Sequence, residues 1–256
     1  MPNIFSIIGE AWDFYKKQPV LNSIIFWLFA LPMGITLSLR QLEREFPTLS
    51  QFSFFVEGKS TEQSYAVLLM LIAELFLSII MLWGTACVLL ISKKLLNSKA
   101  GRTRSSFRTV RKQAGNFVAN LFFTGILRMC FTVFWAVLLI IPGFIYGIRT
   151  FFYHVAIVCE DKSYREALNQ SKTVVTGQTW TVLGALIGIG LTIYIPLITL
   201  TTLITEGIYM FDVRLLIPIH IVSGAIWGIG TAIFTIATVI LYVNLKKEAN
   251  NSPTLI

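Results

Sequence analysis

The segment "NFVANLFFTGILRMCFTVFWAVLLIIPGFIYGIRTFFYHVAIV", Asn116 to Val158, decides the fold of this chain. It runs for 43 residues and is apolar almost throughout. A helix that crosses the hydrocarbon core needs about 20 such residues, so the segment suits two crossings and is too long for one. Pro142-Gly143 stands inside it. Proline ends a helix and glycine permits a reversal. The segment therefore predicts two spans, Asn116–Ile141 and a short Phe144–Val158, joined by a tight turn at the membrane edge.

Working outward, the same reading places spans at Val20–Leu39, Tyr65–Ile91, Trp180–Ile204 and Leu216–Leu241. Composition agrees. Apolar residues make up 55% of the 256-residue chain and charged residues 13%, against about 25% charged in ordinary soluble domains. Mean hydropathy is +0.72. Too few charges exist to build a soluble surface. Strands of a transmembrane barrel alternate apolar and polar residues over about ten positions, whereas these runs are apolar all round. The fold class read here is all-α: a polytopic helical bundle of six transmembrane helices.

The basic run "KKLLNSKAGRTRSSFRTVRK", Lys93 to Lys112, holds eight lysines and arginines and no carboxylate. Segments facing the cytoplasm carry the excess of such residues. With both termini inside, the inner segments hold these eight with Lys16, Lys17, Lys162, Arg165, Lys172, Lys246 and Lys247, fifteen in all. The outer segments hold Arg40, Arg44, Lys59 and Arg214, which is four. The split predicts cytoplasmic N- and C-termini. No stacking aromatics or recognition module accompany the run, which argues against nucleic acid. Attraction to anionic phospholipid is its expected secondary effect. The N-terminus, "MPNIFSIIGEAWDFYKK", puts Glu10 and Asp13 before its lysines, unlike a cleaved signal peptide. The first span is expected to remain as an anchor.

Amphipathic helices precede the odd-numbered spans. Ile4, Ile8, Ala11 and Tyr15 oppose Ser6, Glu10, Asp13 and Lys17; Phe107, Val110, Ala114 and Phe117 oppose Arg104, Arg108 and Arg111. Tyr164, Ala167, Leu168 and Val175 oppose Arg165, Asn169 and Lys172. The period is helical and the charge suits an interfacial helix. The expectation is one membrane domain over residues 1–256, built as three hairpins of about 1–92, 103–160 and 161–246, each preceded by a surface helix, with a short tail at 247–256.

A motif spans the second and third hairpins: Pro142, Gly143, Glu160, Ala167, Leu168, Ser171 and Gly177. In these positions the chain resembles a group of bacterial six-span membrane proteins that includes YciC-type inner-membrane proteins and the membrane domain fused to some glycerophosphoryl diester phosphodiesterases. The resemblance implies a six-span module of the cell (inner) membrane that can serve an attached enzyme, and no agreed activity. The motif also has a purely structural reading. Pro-Gly makes a turn, Glu160 and Asp161 sit near the N-terminus of the next helix where anions are favoured, and Ser171 bonds its own helix.

Residues for chemistry are few. No phosphate-binding glycine loop, zinc-protease motif or nucleophile elbow is present. His154 and His220 lie on different spans, and Cys87, Cys130 and Cys159 lack the paired spacing of a disulfide or metal framework. No catalytic residue, metal ligand or cofactor site is expected, and no enzyme. Glu74, Arg128 and Arg149 fall within spans, where a charge costs at least about 2.5 kcal/mol. Glu74 and Arg128 come out near mid-depth, so an ion pair between them is expected, either structural or part of a site. Gly184-x-x-x-Gly188 and Gly224-x-x-x-Gly228 read as close-packing positions. Two functions stay open. One is a membrane-organising or accessory protein that touches anionic lipid or membrane-protein partners through basic helices. The other is a transporter that handles an anionic solute or lipid through Glu74, Arg128 and Arg149.

Overall fold

The computed structural model describes residues 3–45, 61–96, 106–209 and 216–251. No strand occurs among them. Among the described residues six segments are long and apolar enough to cross a membrane: Val20–Leu42, Val67–Lys93, Phe107–Leu138, Ile140–Glu160, Thr179–Ile208 and Ile217–Ala249. The protein is an all-α, multi-pass membrane bundle.

Helix α1 (Ile4–Lys17) precedes the first segment, which is formed by α2 (Val20–Ile25), a π-helical turn (Phe26–Ala30) and α3 (Leu31–Glu45). The second is α4 (Thr61–Leu96) and the third α5 (Phe107–Leu138). The fourth is in two pieces, α6 (Ile140–Arg149) and α7 (Tyr153–Glu160). Helix α8 (Tyr164–Val175) leads to α9 (Thr179–Tyr209) and α10 (Leu216–Asn251). The π turn lies just before Pro32. A proline has no N–H to give and its ring crowds the carbonyl four residues back, so a wider turn there relieves the conflict.

Two of the expected surface helices are separate elements. Helix α1 buries Ile7 and Ala11. Its Tyr15 hydroxyl donates to Asn22 Oδ1 at 2.7 Å, and burial raises that phenol above its ordinary pKa. Helix α8 buries Ala167, Leu168, Val174 and Val175. The third differs: Phe107, Val110, Ala114 and Phe117 are the opening turns of α5, which runs unbroken to Leu138. Pro19 separates α1 from α2, and Gly177, at φ +87°, separates α8 from α9. No such breaker stands between Phe107 and the apolar run, so the helix propagates. Arg104 lies outside the described residues, as does the middle of the basic run.

The turn between the third and fourth segments is not at Pro142-Gly143. The chain reverses at Leu139, which is extended (φ −153°, ψ 117°) and caps both helices. Pro142 is the third residue of α6, inside the first turn, where its missing N–H leaves no bond unmade. Gly143 serves the close approach of the two arms: a Cβ there would stand 2.5 Å from the Ala136 nitrogen.

Helix α10 is the centre of the bundle and packs against α1, α3, α4 and α9. Its Ile236, Ala237, Val239, Leu241 and Tyr242 are buried. Approach to the first segment is tight because Gly224 has no side chain; a Cβ would lie 2.5 Å from the Ala30 carbonyl oxygen. Gly228 faces Phe29 in the same way, as the small-residue spacing predicts, whereas Gly184 faces open space. The last turn of α10 meets the start of α9 through Gln178 Nε2–H donating to Glu248 Oε2 at 3.1 Å. That end, which also carries α1, is called the terminal side below, and the opposite end the far side.

Candidate functional site

The fourth apolar segment is broken at Thr150-Phe151-Phe152, between α6 and α7. A break in a membrane helix frees backbone groups that must be satisfied within the protein. Thr150 N–H still reaches Tyr146 O at 3.0 Å and Phe151 N–H reaches Ile148 O at 3.1 Å. Ser171, fully buried on α8, supplies two further bonds. Its hydroxyl donates to Arg149 O at 2.8 Å and accepts from Phe152 N–H at 3.0 Å. The expectation that Ser171 bonds its own helix is thus corrected: it staples the break in a neighbouring one. Ala167 and Leu168 hold α8 in place from the core.

Arg128 caps the same break. From α5 its Nη2 donates to Gly147 O at 2.8 Å and its Nε to Thr150 Oγ1 at 3.1 Å, while the guanidinium lies 5.5 Å from the centre of the Tyr153 ring. Thr150 can accept because its own hydrogen goes to Tyr146 O at 2.7 Å. Carbonyls in the last turn of a helix lack intrahelical partners and carry the negative end of its dipole. An arginine with several fixed donors suits that position.

Two further cations gather here. Arg149 Nε donates to Thr179 Oγ1 at 3.3 Å, and Lys172 Nζ stands 4.6 Å from the Tyr146 ring centre. Arg128, Arg149 and Lys172 therefore surround one short break, and among the described residues none of them pairs with a carboxylate. Lys172 and the tyrosines were not legible as site residues. Lys172 is an ordinary polar-face lysine in the sequence, and Tyr146 and Tyr153 look like span residues.

The expected Glu74–Arg128 pair does not form. Glu74 Oε1 lies 3.8 Å from Arg40 Nε. Glu74 turns to Arg40 on α3, whereas Arg128 turns to the break in α6–α7. Glu74, Arg128 and Arg149 are thus not one cluster. Glu160 and Asp161 stand just before α8, as expected, and their bonds go to other helices. Glu160 Oε1 accepts from the Tyr242 hydroxyl at 2.7 Å and from Lys246 Nζ at 2.8 Å, both on α10. Asp161, at φ 56°, ends α7 and takes Lys93 Nζ at 2.7 Å. These carboxylates tie helices together and do not cap α8.

A second polar feature lies on the far side, where α3, α9 and α10 line an open cleft of about 330 Å³. Arg40, Thr201, Thr205, Glu206, His220 and Ser223 contribute to its wall. His220 Nδ1 is 3.0 Å from Ser38 Oγ, and Ser38 donates its hydrogen to Gly34 O at 2.9 Å. The imidazole is therefore the donor at Nδ1. Ser223 Oγ is buried without a hydrogen-bond partner among the described residues.

Comparison with known protein families, characterised proteins and solved structures finds no match to this chain.

Proposed function

We propose that this chain is a non-enzymatic, multi-pass protein of the cell membrane that organises anionic lipid, or partners recruited with it, at its terminal side. One observation carries the reading: Arg128, Arg149 and Lys172 converge on the α6–α7 break without a carboxylate among the described residues. A phosphate supplies the missing negative charge, and arginine matches its geometry. The sequence resemblance to bacterial six-span modules is in keeping with an accessory role. The fifteen-to-four charge split supports a cytoplasmic terminal side. A reporter fused after Lys246 should then stay in the cytoplasm, and its export would reverse the orientation.

The test of the lipid reading is native mass spectrometry of the full chain in nanodiscs of mixed phosphatidylglycerol and phosphatidylethanolamine. Retention of phosphatidylglycerol should exceed its share of the mixture and fall in Arg149→Gln/Lys172→Gln. Retention in proportion to the mixture would defeat the reading.

A second reading, handling of a small polar solute, is supported by the far-side cleft with its unpaired Ser223 hydroxyl. It draws on Arg40, Glu206 and His220, and no longer on Arg128 or Arg149.

A further inference from the structure

The α5–α6 hairpin carries charge only at its base. Arg128 and Arg149 stand at one level of it, because Arg128 bonds Gly147 and Thr150 on either side of Arg149, while Arg149 itself turns to Thr179 on α9. The twenty residues between them, Met129 to Ile148, include no charged side chain. The tip is Val137, Leu138, Leu139, Ile140 and Ile141; all five are exposed, Val137 and Ile140 at 80%. A hairpin that crossed the bilayer would present this tip to far-side water. It would also leave both arginines near mid-depth without a carboxylate, in the place where charge is most costly.

Helix α5, at 32 residues, is long enough to cross, but the break leaves the returning arm short. Helix α6 has 10 residues, about 15 Å at 1.5 Å each, which is half of a ~30 Å hydrocarbon core. Its course agrees. Helices α9 and α10 run side by side from Gln178 opposite Glu248 to Tyr194 stacked on Trp227. Yet α6 meets α9 at its first two residues: the Phe144 ring is 6.4 Å from the Trp180 ring, and Arg149 bonds Thr179. Phe144 and Arg149 are about 7.5 Å apart along α6. A helix descending beside α9 would reach deeper residues with Phe144. Both Phe144 and Arg149 instead reach the first turn of α9.

We infer that α5 and α6, though long and apolar enough with α7 to cross, form a re-entrant hairpin in the leaflet on the terminal side. The apolar tip turns within the acyl chains of that leaflet. Arg128, Arg149 and Lys172 lie at the level of its phosphates. The ligand of this surface is lipid: chains around Val137 to Ile141 and an anionic headgroup at the base. The headgroup part rests on the proposed function; the depth of the tip does not. A wedge seated in one leaflet adds area to that leaflet alone, which is a physical route to organising the membrane.

The experiment uses the full chain with Cys87, Cys130 and Cys159 replaced by alanine, reconstituted in phosphatidylglycerol–phosphatidylethanolamine vesicles. Leu139→Cys and, separately, Ile140→Cys report the tip, Lys17→Cys the terminal side and Leu42→Cys the far side. A membrane-impermeant maleimide should label Lys17→Cys and Leu42→Cys from opposite faces and label the tip from neither. A fluorophore on the tip cysteine should be quenched several-fold more by lipids brominated along the chain than by an aqueous quencher. Labelling of the tip from the Leu42 side would overturn the inference, and so would labelling from the Lys17 side. Either result can stand with selective phosphatidylglycerol retention intact. Loss of that retention with a shielded tip would remove the headgroup reading and leave the hairpin supported.

Discussion

Arg128 Nη2 donates to the carbonyl oxygen of Gly147 at 2.8 Å, across the gap between the two arms of one hairpin. An arginine in an apolar segment is here a helix cap and not half of an ion pair. Two fixed bonds and an aromatic face share its charge.

The first prediction follows from that cap. Arg128→Met leaves Gly147 O and Thr150 Oγ1 without their donor and should cost about 1–3 kcal/mol. If Arg128 and Glu74 are independent, a double-mutant cycle with Glu74→Gln should give a coupling under about 0.5 kcal/mol. Melting of the purified protein in detergent measures both; a coupling of several kcal/mol would restore the ion pair.

Ser171→Ala removes a donor and an acceptor at once. Phe152 N–H and Arg149 O are left unpaired in a buried site, so the loss should be about 2–4 kcal/mol, one to two unsatisfied groups. Hydrogen exchange at the Phe152 amide should quicken more than at Val175 in α8. Equal change at both would mean general loosening rather than loss of the staple.

Glu160 joins α7 to α10 through Tyr242 and Lys246. Tyr242→Phe should cost about 1.5–3 kcal/mol, as expected for a hydrogen bond to a charged group. Lys246→Met should cost less, because Lys246 is more exposed than Glu160 (38% against 11%) and solvent screens its charge. Melting midpoints in the reverse order would show that the ion pair dominates.

Gly224→Ala places a methyl against the Ala30 carbonyl oxygen and should destabilise by about 1–3 kcal/mol through overpacking. Gly184→Ala meets nothing within 4 Å and should be neutral or slightly stabilising, since alanine is the better helix former. Similar melting for the two variants would remove the close contact of α10 with the first segment from the account.

Apolar length and helical period were legible along the chain. They are one-dimensional properties, and through them the sequence by itself determined the all-α class, the six apolar segments and the amphipathic character of α1 and α8. The Gly224–Gly228 spacing likewise announced a tight helix contact. Lateral arrangement is not one-dimensional. Depth alone suggested Glu74 for Arg128, but a partner depends on which face each helix turns to its neighbour, and the break at Thr150 offered bare carbonyls on the side Arg128 faces. Ser171 looked able to bond its own helix until the packing of α8 placed it beside that break. Pro142-Gly143 reads as a turn in sequence because both residues permit one. The tertiary structure moved the reversal to Leu139, since a proline fits the first turn of α6 and the arms can close only where Gly143 leaves room for Ala136.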